Sequence, residues 1–168
     1  GGYHAAKMGI HQELFDFQIA KNNIQVLNML NTKYFVFEDG SRRETVQPNP
    51  DANGNAWFVN TIKTVENANE EIIALDSLRT KNEAVITLDR VSNDFKTEYP
   101  KDSLASIVLT SYKANELIYE SNSTGNQFAV FSEIYYKNGW NAYINGEIKP
   151  HYRVNYVLRG MEIPKGKQ

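Results

Sequence analysis

Cysteine is absent from the 168 residues, which excludes disulfide staples, thiolate zinc sites and cysteine nucleophiles together. Histidine is scarce: only His4, His11 and His151 occur. His4 and His11 stand seven residues apart on a predicted helix, roughly 10 Å, too far for one tetrahedral metal site. All three are therefore expected in surface or capping roles, and no metal or cofactor is predicted. No apolar run reaches the roughly 18–20 residues that cross a bilayer. The opening Gly1-Gly2-Tyr3-His4 lacks the charged-then-apolar order of a secretory leader. Charge is also weak, since a net −2 gives no field to hold nucleic acid or an anionic membrane. Nucleophile elbow, phosphate loop and dinucleotide fingerprint are all missing. With no initiating Met, and with Ile163-Pro-Lys-Gly-Lys-Gln168 reading as a turn into a missing strand, the chain is expected to be a processed product or an excised fragment.

What is present belongs to an ordinary folded domain. A hydrophobic content of 41% and a charged content of 23% lie in the globular range, and the length suffices for one core. A single domain over 1–168 is expected, with a helical segment (1–32), a mixed α/β part (33–100) and an antiparallel β-sandwich part (101–168). Tyr3, Ala6, Ile10, Leu14 and Phe17 recur at helical spacing and predict one buried stripe. Asn22 or Asn23 caps a second helix, with Ile24, Leu27 and Leu30 on its inner face. Lys33–Glu38 has strand composition, and 39–55 reads as a long polar loop. Within that loop Asp51–Asn55 is an Asx-rich turn rather than a calcium loop, since Ala56 and Ile62 stand where glycine and glutamate are needed. Trp57–Val65 predicts one strand, Asn67 with Glu70 a capping box, and Ala84–Leu88 a further strand. From Leu104 apolar segments return every eight to twelve residues between Asn, Gly and Ser clusters. The predicted class is α+β, mainly β: an antiparallel sandwich or jelly-roll-like domain with short N-terminal helices. Asn145-Gly146 is the sharpest local signal, a type I′ hairpin turn that needs positive φ at both positions. Asn138-Gly139 predicts a second turn just before Trp140.

The acidic residues fall mostly in loops or on helix surfaces, as Glu70, Glu71 and Asp76 do. Glu133 is the exception, because strand alternation puts it beside Phe131 and Tyr135. An unpaired charge there is costly, so an ion pair with Arg153 or Arg159 is expected. A general-acid role lacks the second carboxylate that glycoside hydrolysis needs. The aromatic residues offer a sugar platform, with Trp140 and Tyr143 as its members and Glu133, Arg153 and Arg159 as polar partners. Alternation favours the core for Trp140, on one side with Ala142 and Ile144, while Tyr143 falls on the other. Tyr152, Val154, Tyr156 and Leu158 share a predicted inner face opposite Arg153, Asn155 and Arg159. No residue is assigned as catalytic.

A set of ordered segments carries a resemblance. These are Gly2–Lys7, Val26–Asn31 with Lys33-Tyr34, Asn49-Pro50 with Gly54–Val59, Ser132-Glu133 with Tyr136, Gly139-Trp140 with Tyr143, and Asn145-Gly146 followed by Tyr152–Gly160. In that order the chain resembles the C-terminal extracytoplasmic region of the YfhO family of bacterial multi-pass membrane proteins. The resemblance implies a parent similar to membrane glycosyltransferases that use lipid-linked sugars and act on cell-envelope glycan. It places the chain on the outer side of the bacterial cytoplasmic membrane, anchored by transmembrane helices outside this sequence. The catalytic acid of such enzymes lies near their first transmembrane helices, so the fragment itself is expected to be no enzyme. Its expected partners are the membrane domain of its own parent and, as a second candidate, envelope glycan. A carbohydrate-binding module and a purely structural domain remain the alternatives.

Overall fold

A computed structural model describes residues 9–38, 40–41 and 43–168. Tyr3, Ala6 and His4 lie outside them. Helix α1 (Gly9–Leu14) runs directly into a π-helical turn, Phe15–Ile19. The wider turn inserts a residue into the 3.6 period. Leu14 and then Gln18 face inward, while Phe17, expected on the buried stripe, is 53% exposed. Buried Gln18 donates from Nε2 to the Ile72 carbonyl oxygen at 2.7 Å. Helix α2 (Ile24–Met29) is capped as anticipated: the Asn23 carboxamide oxygen accepts from the backbone of Gln25 and Val26. Its buried positions are Val26, Asn28 and Met29, not Ile24, which is exposed. Asn23 also donates to the Leu75 carbonyl and to Gln18, and this anchored cap sets the rotation of the helix.

The stretch 39–55 is not all loop. Strand β1 (Tyr34–Glu38) pairs antiparallel with β2 (Glu44–Pro48), Val36 opposite Val46. The β-branched Thr45 and Val46 supply strand character that the surrounding Pro, Gly and Asn residues conceal. Beyond it Asn49 accepts from the Asp51 N–H, an Asx turn that begins two residues ahead of the expected 51–55 one. The predicted Trp57–Val65 strand is two strands, β3 (Ala56–Val59) and β4 (Thr61–Val65), broken at Asn60 and assigned to different sheets. Helix α3 (Ala68–Ala74) then carries the chain to β5 (Glu83–Thr87), which lies parallel to β4. This βαβ unit holds the one parallel pairing among the described strands. Every residue of β5 is buried, which suits a parallel strand covered on both faces. At the α3 N-terminus Asn67 accepts from the Glu70 N–H, and the Glu70 carboxylate accepts from the Glu66 N–H, closing the box one residue early. Glu71, expected on a helix surface, is fully buried and bonded to Arg90.

Glu83 opens β5 between Lys63 at 3.1 Å and Arg79 at 2.9 Å. Burial would raise its carboxyl, but bonds from the Arg79 guanidinium and backbone N–H and from Lys63 outweigh it and bring it down to about 2. A depressed carboxyl stabilises the fold above its unfolded value, and that contribution fades as pH falls toward the folded one. Acid unfolding curves should therefore lose about 1–2 kcal/mol through this group below the ordinary carboxyl range, the figure reduced for the solvent-exposed Arg79. Glu83→Gln should flatten that part of the stability–pH profile; an unchanged slope would remove the assignment.

The second half builds the sandwich: β6 (Ser106–Lys113), β7 (Glu116–Ser123), β8 (Gln127–Ile134), β9 (Ala142–Ile144), β10 (Glu147–Lys149), β11 (Tyr152–Val154), β12 (Leu158–Ile163) and β13 (Gly166–Lys167). One sheet has the order β11-β12-β8-β3, another β13-β7-β6. With 42% strand and 17% helix the fold is α+β, mainly β. The strand expected beyond the last turn is already present as β13, and Gln168 continues its pairing through Ser121. Asn145 and Gly146 take φ of 50° and 84° between β9 and β10, as the I′ turn requires.

Sidedness of β8 decides where the core ends. Phe128 and Val130 join one buried cluster with Leu14, Val26, Trp57, Ile72, Val85 and Leu158, residues drawn from all three expected segments. Ala129 and Phe131 turn the other way, toward Met161, Ile163, Ile144 and Ile107. The four-stranded sheet is thus packed on one face by helices and the βαβ unit. Its other face meets the three-stranded sheet and the β9–β10 hairpin. Gly160 makes the first packing possible, because a Cβ there would stand 2.5 Å from the Phe128 ring.

The run Tyr152–Leu158 is not one strand. Asn155 and Tyr156 adopt φ of 49° and 71°, and the chain reverses so that Val154 pairs with Leu158. Asn155, expected on a polar outer face, is fully buried. It bonds the edge of β5 twice: its N–H donates to the Val85 carbonyl at 2.8 Å, and its side-chain oxygen accepts from the Val85 N–H at 2.9 Å.

Candidate ligand groove

Over the second face of β8 and β12, between β7 and the β9–β10 hairpin, lies a cavity of about 710 Å³. Its polar end is set by an irregularity in the sheet. Leu158 pairs with Ile134, but Arg159 pairs with Phe131, so Ser132 and Glu133 have no partner position on β12. Such bulges re-aim side chains. Here Leu158 stays in the core while Arg159 and Glu133 both line the groove.

Arg159 is held from two directions. Its Nε and Nη2 donate to the Ile134 carbonyl oxygen at 3.1 and 2.9 Å, and its guanidinium sits 4.6 Å from the centre of the Trp140 ring. Burial pulls its pKa down, while the charge of Glu133 holds it up; the group stays cationic. Among the described residues Glu133 faces this charge without an ion pair within 4 Å, so the expected bond to Arg153 or Arg159 is not formed. Arg159 already spends two donors on the backbone and its flat face on the indole.

Tyr119 reaches the groove from β7, where Leu117, Tyr119 and Ser121 form the inner alternation and Ile118 and Glu120 point out. Its ring meets Phe131 edge to face at 4.9 Å. Its buried hydroxyl has no partner among the described residues. Burial, then the nearby Glu133 charge, push the phenol up to about 12. His151 lies just before β11 with its ring 5.5 Å from Tyr135. Its buried Nε2 likewise lacks a partner. Burial and then Arg159 lower its pKa, so the imidazole is neutral at pH 7. The surface role expected for His151 is thus corrected.

Trp140 belongs to neither buried cluster and lines the groove. It precedes β9, and the turn Tyr136–Gly139 takes it out of the strand alternation that suggested a core position. The indole in the core is Trp57, whose Nε1 donates to the Thr80 carbonyl at 2.8 Å. Tyr143 stands on the groove rim, 60% exposed. Glu133, Trp140, Tyr143 and Arg159 therefore come together, and Arg153 does not. In the β11–β12 register Arg153 lies directly opposite Arg159, and like charges so placed repel. Arg153 reaches away, 6.0 Å from the Tyr156 ring and within the field of Glu71. Tyr119 and His151 are groove residues the sequence reading missed. The alternation of β7 carried a signal for Tyr119, whereas nothing local marked His151.

No protein-family model, curated protein or solved structure matches this chain. Among the described residues no helix is long and apolar enough to cross a membrane, and no three His, Asp or Glu side chains gather as metal ligands. The groove offers an aromatic wall, a fixed cation, a carboxylate and two buried polar groups without partners. That combination is suited to holding a polyhydroxylated ligand.

Proposed function

We propose that this chain is a non-catalytic, extracytoplasmic β-sandwich domain of a multi-pass bacterial membrane protein similar to the YfhO family. Its groove positions envelope glycan for a glycosyltransferase-like membrane core. The observation that carries the glycan role is the groove itself, with Trp140 and Tyr143 beside the unpartnered Tyr119 hydroxyl and His151 Nε2. The ordered sequence resemblance carries the rest. Buried polar atoms without partners cost stability unless something else bonds them, and sugar hydroxyls supply such bonds.

Calorimetric titration of the chain with bacterial envelope glycans tests the reading. Binding at millimolar affinity or better is expected, and Trp140→Ala should weaken it about tenfold without shifting the unfolding curve. Equal affinity in the variant would remove Trp140 from the site, and glycosyl transfer or hydrolysis by this chain alone would sink the non-catalytic assignment. The membrane reading has its own test in the surrounding reading frame, where spans of about 20 apolar residues are expected.

A second reading, a structural role against the membrane domain of the same parent, is favoured by the β1–β2 hairpin. Tyr34, Val36, Phe37 and Val46 are all more than half exposed there, and among the described residues the hairpin joins no other sheet. Intact assembly without any glycan binding would select that reading.

A further inference from the structure

Resting on the glycan reading, we propose that the groove selects an uncharged sugar, bonded by the Tyr119 hydroxyl, His151 Nε2 and the Glu133 carboxylate, and discriminates against uronate- or phosphate-bearing glycan. The argument is one of charge and of spent donors. Glu133 is the carboxylate of the inner wall and Arg159 its cation, while Glu120 points out from β7 and Glu116 is paired with Lys113. His151 adds no charge at pH 7 because burial and Arg159 hold its pKa down.

Arg159 is the one cation set into the wall, and the edge with which a guanidinium grips a carboxylate side-on is its Nε–Nη2 pair. Both of those donors are closed on the Ile134 carbonyl oxygen, at 3.1 and 2.9 Å. The flat face rests on Trp140 at 4.6 Å, and the charge is countered by Glu133. An anionic sugar entering here meets the Glu133 carboxylate and finds the side-on edge of Arg159 closed, with only the Nη1 end of the guanidinium left to offset the repulsion. A neutral sugar meets no such penalty. Its hydroxyls donate to Glu133 and exchange hydrogen bonds with the two buried groove atoms that lack partners among the described residues, Tyr119 Oη and His151 Nε2. The exposed aromatic Tyr143 on the rim provides apolar contact that is indifferent to charge.

The test titrates the 168-residue chain by calorimetry with maltotetraose, cellotetraose and mannotetraose, and in parallel with trigalacturonate and glycerol 3-phosphate. Each titration is run at about 50 and about 500 mM NaCl, where screening separates charge-driven from neutral binding. A neutral tetrasaccharide is expected to bind with affinity changing less than about twofold between the two salts. Tyr119→Phe and His151→Gln should each weaken it roughly three- to tenfold. Tyr119→Phe removes only the unpartnered oxygen, so the variant should be at least as stable as the parent chain and keep the comparison valid if His151→Gln folds poorly. Salt-sensitive binding of the anionic probes alone would overturn the charge assignment and leave the glycan groove standing. Neutral binding unaffected by Tyr119→Phe and His151→Gln would overturn the assigned bonding groups. Failure of every probe would remove the groove reading, and this assignment with it.

Discussion

Glu71→Ala is expected to destabilise the fold by about 3–5 kcal/mol and to lower its thermal midpoint by roughly 10 °C. Glu71 is fully buried on α3, where both carboxylate oxygens accept from Arg90 Nη1, at 2.9 and 2.8 Å. One of them also accepts from the Tyr156 N–H at 3.1 Å. Arg90 Nη1 donates in addition to the Arg153 carbonyl at 3.2 Å. Removing the carboxylate strands a largely buried guanidinium and a buried N–H at once, which is why deletion costs far more than the pair contributes. Glu71→Gln keeps an acceptor for Tyr156 and most of the packing, so a smaller loss of about 2–3 kcal/mol is expected. Urea unfolding of both variants, with Arg90→Ala completing a double-mutant cycle, measures the coupling. A loss below about 1 kcal/mol for Glu71→Ala would show that Arg90 finds compensation elsewhere. The pH signature separates this group from Glu83. Burial raises the Glu71 carboxyl against the pull of Arg90, so its linked contribution is present at low pH and declines as pH rises through the raised value. The linked contribution of Glu83 runs in the opposite sense.

That network also explains why parts of the chain were legible and others were not. The Asn145-Gly146 turn, the Asn23 cap and the Asn67 cap rest on φ angles and bonds between residues a few positions apart, so the sequence contains them whole. The stripe on α1 was misread because a π-helical turn shifts the period, and Gln18 goes inward for a bond to Ile72 far along the chain. Glu71 reads as an exposed helix residue until Arg90, Tyr156 and Arg153 are brought to it by the βαβ crossover and the β11–β12 hairpin. In the groove, Glu133 was placed by the alternation of β8. Alternation favoured the core for Trp140, but the turn before it ends that alternation. Arg153 and Arg159 were given equivalent roles, and only their opposition across the hairpin drives the two charges apart. Local geometry was therefore readable, and the candidate site was readable as a neighbourhood. Its buried polar members, Tyr119 and His151, depend on how the sheets stack.

Asn155→Ala should cost about 2–4 kcal/mol, through two separable effects. The residue holds a left-handed conformation, φ 49°, where a Cβ without a compensating polar group costs about 1–2 kcal/mol. Its side-chain oxygen is the acceptor for the Val85 N–H, and that donor lies on a strand with no solvent to replace the bond. An orphaned buried N–H adds about 1–3 kcal/mol. Asn155→Gly isolates the second effect, because glycine tolerates the angle but offers no acceptor, and about 1–2 kcal/mol is expected for it. Hydrogen exchange at Val85 gives a direct readout: its amide should lose protection in both variants, whereas amides of β6 and β7 should keep theirs. Retained protection at Val85 would show that the side-chain bond does not secure β5. The consequence should extend to the groove. Asn155 fixes the turn from which β12 starts, and β12 presents Arg159 to Trp140. Asn155→Gly is therefore expected to weaken the proposed glycan binding even though Asn155 does not line the groove, and unchanged affinity would show that the β8–β12 pairing alone holds Arg159 in place.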